Sequence, residues 1–427
     1  MKRCVGMTNN IRFDLSNWLI HFFRDIDLEK DQIDFPEIMA PMDLCEDTKY
    51  PAFFMLRSAI KQLKLWSGYS YRNSKPTIYG SYPATCFTEM PIAAFIQAGR
   101  ERRQKAQNMS PLALLFEKKI MYDIGARPVI YDLFPIKGEY ISGNIINNKI
   151  INKDDQYRYV RFCISYRSAK SIDWTHEREW RWPFRDRTFL ANYKREIHNM
   201  GIVNSYRDIP GLDLSLNIIK RIGVIVETKQ QADYIMNDLV WLIDSKQIPH
   251  DKFRFIIIAS NIHPNLDIIS PQEVNKLIQQ SIIDPLEGIN LSQDDVEKYN
   301  NQFNIVVNNF NCSFIPPNNE VKEYGSCYLW LYERKHPLTR ALLEKGKLHI
   351  SRGGRYLVPF DSSCKTCNLQ NEENKMKALS KVISKQFNIQ CGYFTILGDG
   401  VFNPTEDDVP FYCDPPIENS FIYNKNF

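Results

Sequence analysis

The spacing of apolar and polar residues changes several times along this chain, and each change predicts an element. "WLIHFFRD" (Trp18 to Asp25) is a short apolar run with a charged end and predicts a strand; "AFFMLRSAIKQLKLW" repeats its apolar positions at helical spacing. "GYSYRNSKPTIYGSYP" is polar and marked by Pro and Gly, so it reads as a long loop entering "ATCFTEMP". "LALLFEKKIMYDIG" predicts a helix closed by Gly125, followed by strands in "RPVIYDL" and "YRYVRFCISY". "RIGVIVET", a helix "KQQADYIMNDLVWLID" capped by Thr228, and "FRFIIIA" together predict a β-α-β unit.

Residues 266–320 read as a helical connector. Ser270, Pro271 and Glu273 form a capping box with proline at the first helical position, and Ser292 with Asp295 repeats that signal. Asn-rich stretches at "NQFNIVVNNFNCSFIPPNNE" and "SGNIINNKIINKDD" mark a boundary and a surface loop. From 321 to 418 the order is strand "CYLWLYE", helix "PLTRALLEKG", strands "KLHIS" and "RYLVPF", helix "NKMKALSKVISKQF" and strand "GYFTIL". That β-α-β-β-α-β order predicts a smaller ferredoxin-like α+β domain. Alternation along its first strand puts Tyr328, Trp330 and Tyr332 on one face and Leu329 and Leu331 on the other. Such an aromatic face either stacks bases or packs inside the domain.

A length of 427 residues exceeds what one core organises, so a first domain at 12–265, the connector and the C-terminal domain are expected. The fold class is α+β. Of the residues, 44% are hydrophobic, 13% aromatic and 24% charged, which excludes a disordered chain. A net charge of +4 does not by itself imply a nucleic-acid partner, so that inference must rest on local clusters. The start "MKRCVGMTNN" has no apolar segment behind its basic residues, and no apolar run reaches the length of a membrane span. A cytoplasmic protein without a membrane partner is expected. The ten cysteines are scattered, as reduced thiols would be. Cys364 and Cys367 form a lone C-x-x-C pair, read as loop thiols, and no metal site is expected.

The densest chemistry lies in "DWTHEREWRW", Asp173 to Trp182. As one strand it places Glu177, Glu179 and Arg181 on one face, with Trp174, His176, Arg178, Trp180 and Trp182 on the other. On a helix the glutamates would diverge by about 200° and share no site. Paired carboxylates can ligate a metal, act on a glycosidic bond, or stabilise a cationic sugar transition state. On NAD+ the nicotinamide leaves as a neutral molecule, so a carboxylate near the ribose and a second one for the acceptor would suffice.

Glu177-Arg178-Glu179 resembles the E-x-E motif of ADP-ribosyltransferases. His21 in "LIHFFRD" is similar to the first-strand His of the family's diphtheria-toxin and poly(ADP-ribose) polymerase branch, and Thr88 in "CFTE" stands where the middle-strand hydroxyl would be. Phe22-Phe23 follows His21 where that branch usually has Gly-Thr or Phe-Thr. The elements also resemble uncharacterised bacterial proteins related to abortive-infection, phage-defence families. The resemblance covers roughly the first 265 residues. It implies a mixed split sheet with helices and NAD+ as substrate. Glu179 would be the principal catalytic carboxylate, Glu177 the acceptor-side assistant and His21 the ribose contact. Thr88 and, in "YSYRNSKP", Arg72 would support the bound dinucleotide.

The flank "REWRWPFRDRTFLANYKR" interleaves Arg178, Arg181 and Arg185 with Trp182 and other rings, and "GRERRQK" is a second basic cluster. Both patterns suit an RNA or DNA acceptor or a solvated face. The expected function is a defence or toxin ADP-ribosyltransferase modifying nucleic acid or protein, with a phage-derived trigger or a neutralising partner. A non-enzymatic sensor of nucleic acid or phage protein is the alternative. A metal-dependent nuclease using Asp173, Glu177 and Glu179 is a third.

Overall fold

A computed structural model describes residues 16–31, 33, 48–72, 75–105, 107, 109–131, 141–142, 145–146, 149–162, 173–200, 208–262, 271–315, 325–351, 354–360 and 369–397. The chain divides into two compact units, one of Met1–Leu239 with Ile248–Pro285 and the other of Val240–Gln247 with Leu286–Lys425.

In chain order the first unit contains β1 (Trp18–Phe22), α1 (Ala52–Gln62), β2 (Ala84–Thr88), α2 (Ile92–Gln104), β3 (Ala113–Glu117), α3 (Lys118–Asp123), β4 (Arg127–Pro128), β5 (Glu179–Pro183), α4 (Arg187–Met200), β6 (Ile222–Val226), α5 (Lys229–Asp244, which from Val240 on belongs to the second unit), β7 (Phe253–Ile258), α6 (Pro271–Gln280) and β8 (Ile282–Ile283). The eight strands join in one mixed sheet rather than a split pair, in the order β8-β7-β6-β3-β1-β2-β5-β4. β6 and β7 run parallel, and α5 lies between them in the chain, so the expected β-α-β unit forms. Thr228 accepts the Gln231 N–H at the head of α5, as its capping role requires.

Both faces of the sheet centre are sealed. Ile20, Ala113, Leu115, Ile225 and Ile257 pack with Phe95 and Ile96 of α2 and Ile278 of α6. The alternate residues Leu19, Leu114, Phe116, Val224 and Ile256 are equally inaccessible. This burial explains a departure from the periodicity. "ALLFE" pairs with β1 and β6 as a central strand, whereas its apolar run was expected to open a helix; only Lys118–Asp123 is helical. A strand buried on both faces loses the two-residue alternation that would identify it. The tail of the first predicted helix also changes state. Leu63 adopts φ 52°, ending α1, and Lys64–Trp66 then pairs with Gly211–Asp213.

Two buried cations fix the periphery. Arg57 on α1 makes a two-pronged bond to Asp238 on α5 at 2.8 and 3.0 Å. Lys252 donates to the carbonyls of Leu214, Ser215, Leu216 and Ile219 at 2.8 to 3.2 Å, so a loop backbone supplies what a carboxylate otherwise would.

The second unit contains α7 (Gln293–Ser313), β9 (Gly325–Leu331), α8 (Pro337–Glu344), β10 (His349–Ile350), β11 (Tyr356–Pro359), α9 (Leu369–Phe387) and β12 (Cys391–Leu397). Its sheet is antiparallel in the order β10-β11-β9-β12. Ser292 caps α7 by accepting the Asp295 N–H, as its spacing predicted. This helix is not part of a connector. Phe303, Val306, Val307 and Phe310 of α7 pack into the same core as Leu338, Leu342, Met376, Leu379 and Ile383. Alternation on β9 is as expected, with Leu329 and Leu331 in that core and Tyr328, Trp330 and Tyr332 grouped with Leu357 and Phe394 on the other face. Trp330 is only 1% exposed, so its ring is closed to a stacking base. Among the described residues, no helix is long and apolar enough to cross a membrane.

Candidate functional site

The glutamate motif is a strand only from Glu179 onward. Asp173 accepts the Thr175 N–H and hydroxyl at 2.9 and 2.6 Å, starting a single 3-10 turn over Thr175–Glu177. Arg178 then takes the left-handed conformation, φ 46°, and β5 begins. Glu177 therefore does not share a strand face with Glu179; a non-glycine left-handed residue separates them. From Glu179 the alternation holds. Trp180 donates its indole N–H to Glu89 at 2.7 Å and Trp182 donates to the Ile124 carbonyl at 3.0 Å, while Glu179 and Arg181 point to the opposite face.

Each glutamate has its own arginine. Arg102, on the last turn of α2, reaches Glu177 at 2.6 Å, with His176 3.5 Å from the same oxygen. Arg181 bonds Glu179 through Nε at 2.7 Å and Nη2 at 3.3 Å. Its Nη1 donates to the carbonyls of Tyr157 and Tyr159 at 2.7 and 3.2 Å. Arg181 is 3% exposed, and this removes it from the expected acceptor-facing surface. Burial disfavours its charge, but Glu179 outweighs that and raises its pKa. The neighbouring Cys86 lies opposite Arg181 in the ladder. Burial, reinforced by Glu179, pushes its thiol pKa up and leaves it protonated, so it is not an activated nucleophile.

Thr88 is brought to this corner but its hydroxyl is occupied. It donates to the Glu177 carbonyl and accepts the Met90 N–H at 3.1 Å, tying the turn to β2. Thr88 pairs with both Ile20 and Glu179 across the sheet, so those three residues share a face. His21 follows Ile20 and points the other way. Its ring sits against Phe23 and Phe87, with centroids at 5.1 and 5.7 Å, and Nδ1 bonds the Cys86 carbonyl at 2.9 Å. A carbonyl partner requires the proton on Nδ1, and desolvation lowers the pKa to about 4, so the ring is neutral. The expected meeting of His21 with Glu179 therefore does not occur, because one residue of register reverses the face.

Tyr131 and Arg102 complete the corner, and sequence reasoning missed both. Neither stands at a diagnostic spacing from the glutamates; they are 48 and 75 residues from Glu179 and Glu177. The Glu179 N–H donates to the Tyr131 hydroxyl at 3.0 Å. Tyr131 lies on Ile130–Tyr131, a short strand parallel to Tyr159–Val160.

Several arginines of the basic clusters are engaged by partners within the protein, although much of each cluster is exposed. In "GRERRQK", Arg100 donates to the carbonyls of Ala259 and Ile262, Arg102 holds Glu177, and Arg103 pairs with Glu227. Past β5, Arg185 is exposed and lies over the rings of Tyr82 and Tyr157 at 5.5 and 6.0 Å, and Arg187 bonds the Tyr82 hydroxyl. Arg178 and Trp182 are half-buried. Arg72 sits on the hairpin of Tyr71–Arg72 with Lys75–Pro76, and its side chain, like Cys364 and Cys367, lies outside the described residues. Asp173 is engaged with Thr175, and among the described residues no group of three or more His, Cys, Asp or Glu could hold a metal ion.

Known proteins bear on the second unit. Residues 291–425 match a family model described as "Protein of unknown function (DUF4427)". The match begins one residue before the Ser292 cap, so α7 belongs with the same stretch that the compact unit defines. No curated protein and no solved structure matches the chain.

Proposed function

We propose that the first unit is an ADP-ribosyltransferase-type enzyme of bacterial phage defence, with NAD+ as substrate and the corner at the head of β5 as its active site. The observation that carries this is the pair of partly open carboxylates: the Glu177 and Glu179 side chains are 15% and 18% exposed, each is fixed by an arginine, and the Tyr131 hydroxyl lies beside them. Fixed negative charge at a partly desolvated corner suits a transition state in which the C1′–nicotinamide bond breaks and the ribose turns cationic. Glu179 would stabilise that charge. Glu177 would take the proton of the acceptor nucleophile as its bond to C1′ forms.

His21 faces away from Glu179, so this mechanism rests on the carboxylates without it. The exposed Arg185, Lys194 and Arg195 beyond β5 would meet a nucleic-acid or protein acceptor. The strand order β10-β11-β9-β12, with helices after β9 and β11, supports a ferredoxin-like second unit that would receive a phage-derived trigger or a neutralising partner.

The test is incubation of the protein with labelled NAD+ and cellular RNA, DNA and protein pools. Transfer by wild type, lost in Glu179→Gln, is the expected result; no transfer to any pool by either would end the enzymatic proposal. A second function, a non-enzymatic sensor, is favoured by one observation: both carboxylates are already satisfied by Arg102 and Arg181. In that case neutralising Glu179 would lower stability without changing any NAD+ chemistry.

A further inference from the structure

Tyr131 occupies a position in the ladder that a backbone carbonyl would ordinarily fill. The N–H and C=O of one strand residue point to the same side, and for Glu179 that side faces β4. Its carbonyl accepts the Val129 N–H at 3.0 Å, as the ladder requires. Its N–H instead reaches the phenol of Tyr131, two residues beyond Val129. A phenol that accepts one bond still has a proton to donate, which a backbone carbonyl does not. Among the described residues that proton has no acceptor, and the half-buried hydroxyl lies within electrostatic range of both Glu179 and Glu177.

The geometry points to Tyr131 as a substrate-contacting residue: its proton is donated to a ribose hydroxyl oxygen of the bound nucleotide, while Glu179 or Glu177 accepts the proton of that same hydroxyl. The inference rests on the transferase proposal above. A hydroxyl is at once donor and acceptor, and this corner offers one donor beside two acceptors. An aliphatic ligand oxygen without a proton satisfies only Tyr131; a deoxy sugar satisfies neither group. Recognition of a ribose hydroxyl therefore follows from the pairing, because loss of that hydroxyl leaves the half-buried Tyr131 proton without its acceptor.

A phenol that merely replaces a ladder carbonyl would matter for folding and for nothing else, so the test needs a readout that folding does not move. ADP-ribose is titrated calorimetrically into wild type, Tyr131→Phe and protein carrying 3-fluorotyrosine at position 131, with the melting temperature of each measured alongside. Fluorination keeps the ring and strengthens the phenol as a donor while weakening it as an acceptor. Tyr131→Phe should bind ADP-ribose about tenfold more weakly, the loss of one neutral hydrogen bond, and the fluorinated protein should bind at least as tightly as wild type. Equal affinity of a folded Tyr131→Phe, or weakened binding on fluorination, overturns the role of Tyr131. Absence of binding by wild type itself instead overturns the transferase proposal and this inference with it.

Discussion

Two arginine–carboxylate pairs in the first unit have almost the same length and opposite surroundings. Arg57 and Asp238 meet at 2.8 Å with side chains 6% and 1% exposed, so both ends are sealed between α1 and α5. Arg181 and Glu179 meet at 2.7 Å, yet only the arginine is sealed; its side chain is 4% exposed and the glutamate's 18%. A closed pair can only hold two helices together. A pair open at its acidic end can fix a carboxylate in place and still offer it to a ligand, so the difference in exposure separates structure from candidate chemistry.

The largest effect should come from the closed pair. Asp238→Asn leaves the Arg57 charge buried without its counter-charge and should cost about 3–5 kcal/mol in urea unfolding. Glu179→Gln should behave differently. Its amide oxygen still accepts from Arg181, which also keeps the Tyr157 and Tyr159 carbonyls, so the stability loss should be about 1 kcal/mol, and under the transferase proposal NAD+ turnover should fall about 10²- to 10³-fold. Comparable destabilisation in the two variants would collapse the distinction between the pairs.

His21 gives the next effect through pH. Its folded pKa, about 4, lies below the unfolded value of 6.5, so the unfolded chain takes up the proton first. The stabilisation from the neutral ring is complete above pH 6.5 and is lost as pH falls toward 4, by at most about 3 kcal/mol. His21→Gln should flatten the stability curve in that window; an unchanged slope would place the ring in solvent. The smallest effect belongs to Arg187 and Asp154, whose side chains are 74% and 41% exposed. Asp154→Asn should leave the urea-unfolding midpoint essentially unchanged. A clear drop would show that exposure is not what ranks these pairs.

Elements with a local signature were legible before any fold was known. The Thr228 and Ser292 caps and the alternation of β9 each depend on residues a few positions apart, and each is found where expected. β3 was misread because burial on both faces erases alternation. α2 carries its sequence signal as a basic cluster, because its arginines mask the helical apolar face of Phe95 and Ile96. In the motif, Asp173 with Thr175 was the overlooked local signal: an acidic residue two before a Thr favours a turn and delays the strand to Glu179.

By itself the sequence determined the spacing-dependent features: caps, alternation, the β-α-β unit and the opposition of Trp180 and Trp182 to Glu179 and Arg181. Only the tertiary structure decided which distant residues meet. Arg102 and Tyr131 reach the glutamates through α2 and the segment after β4, whereas His21 is turned away by one residue of register between β1 and β2. Strand register across a sheet is set by packing of both faces at once, and no local stretch of sequence encodes that sum.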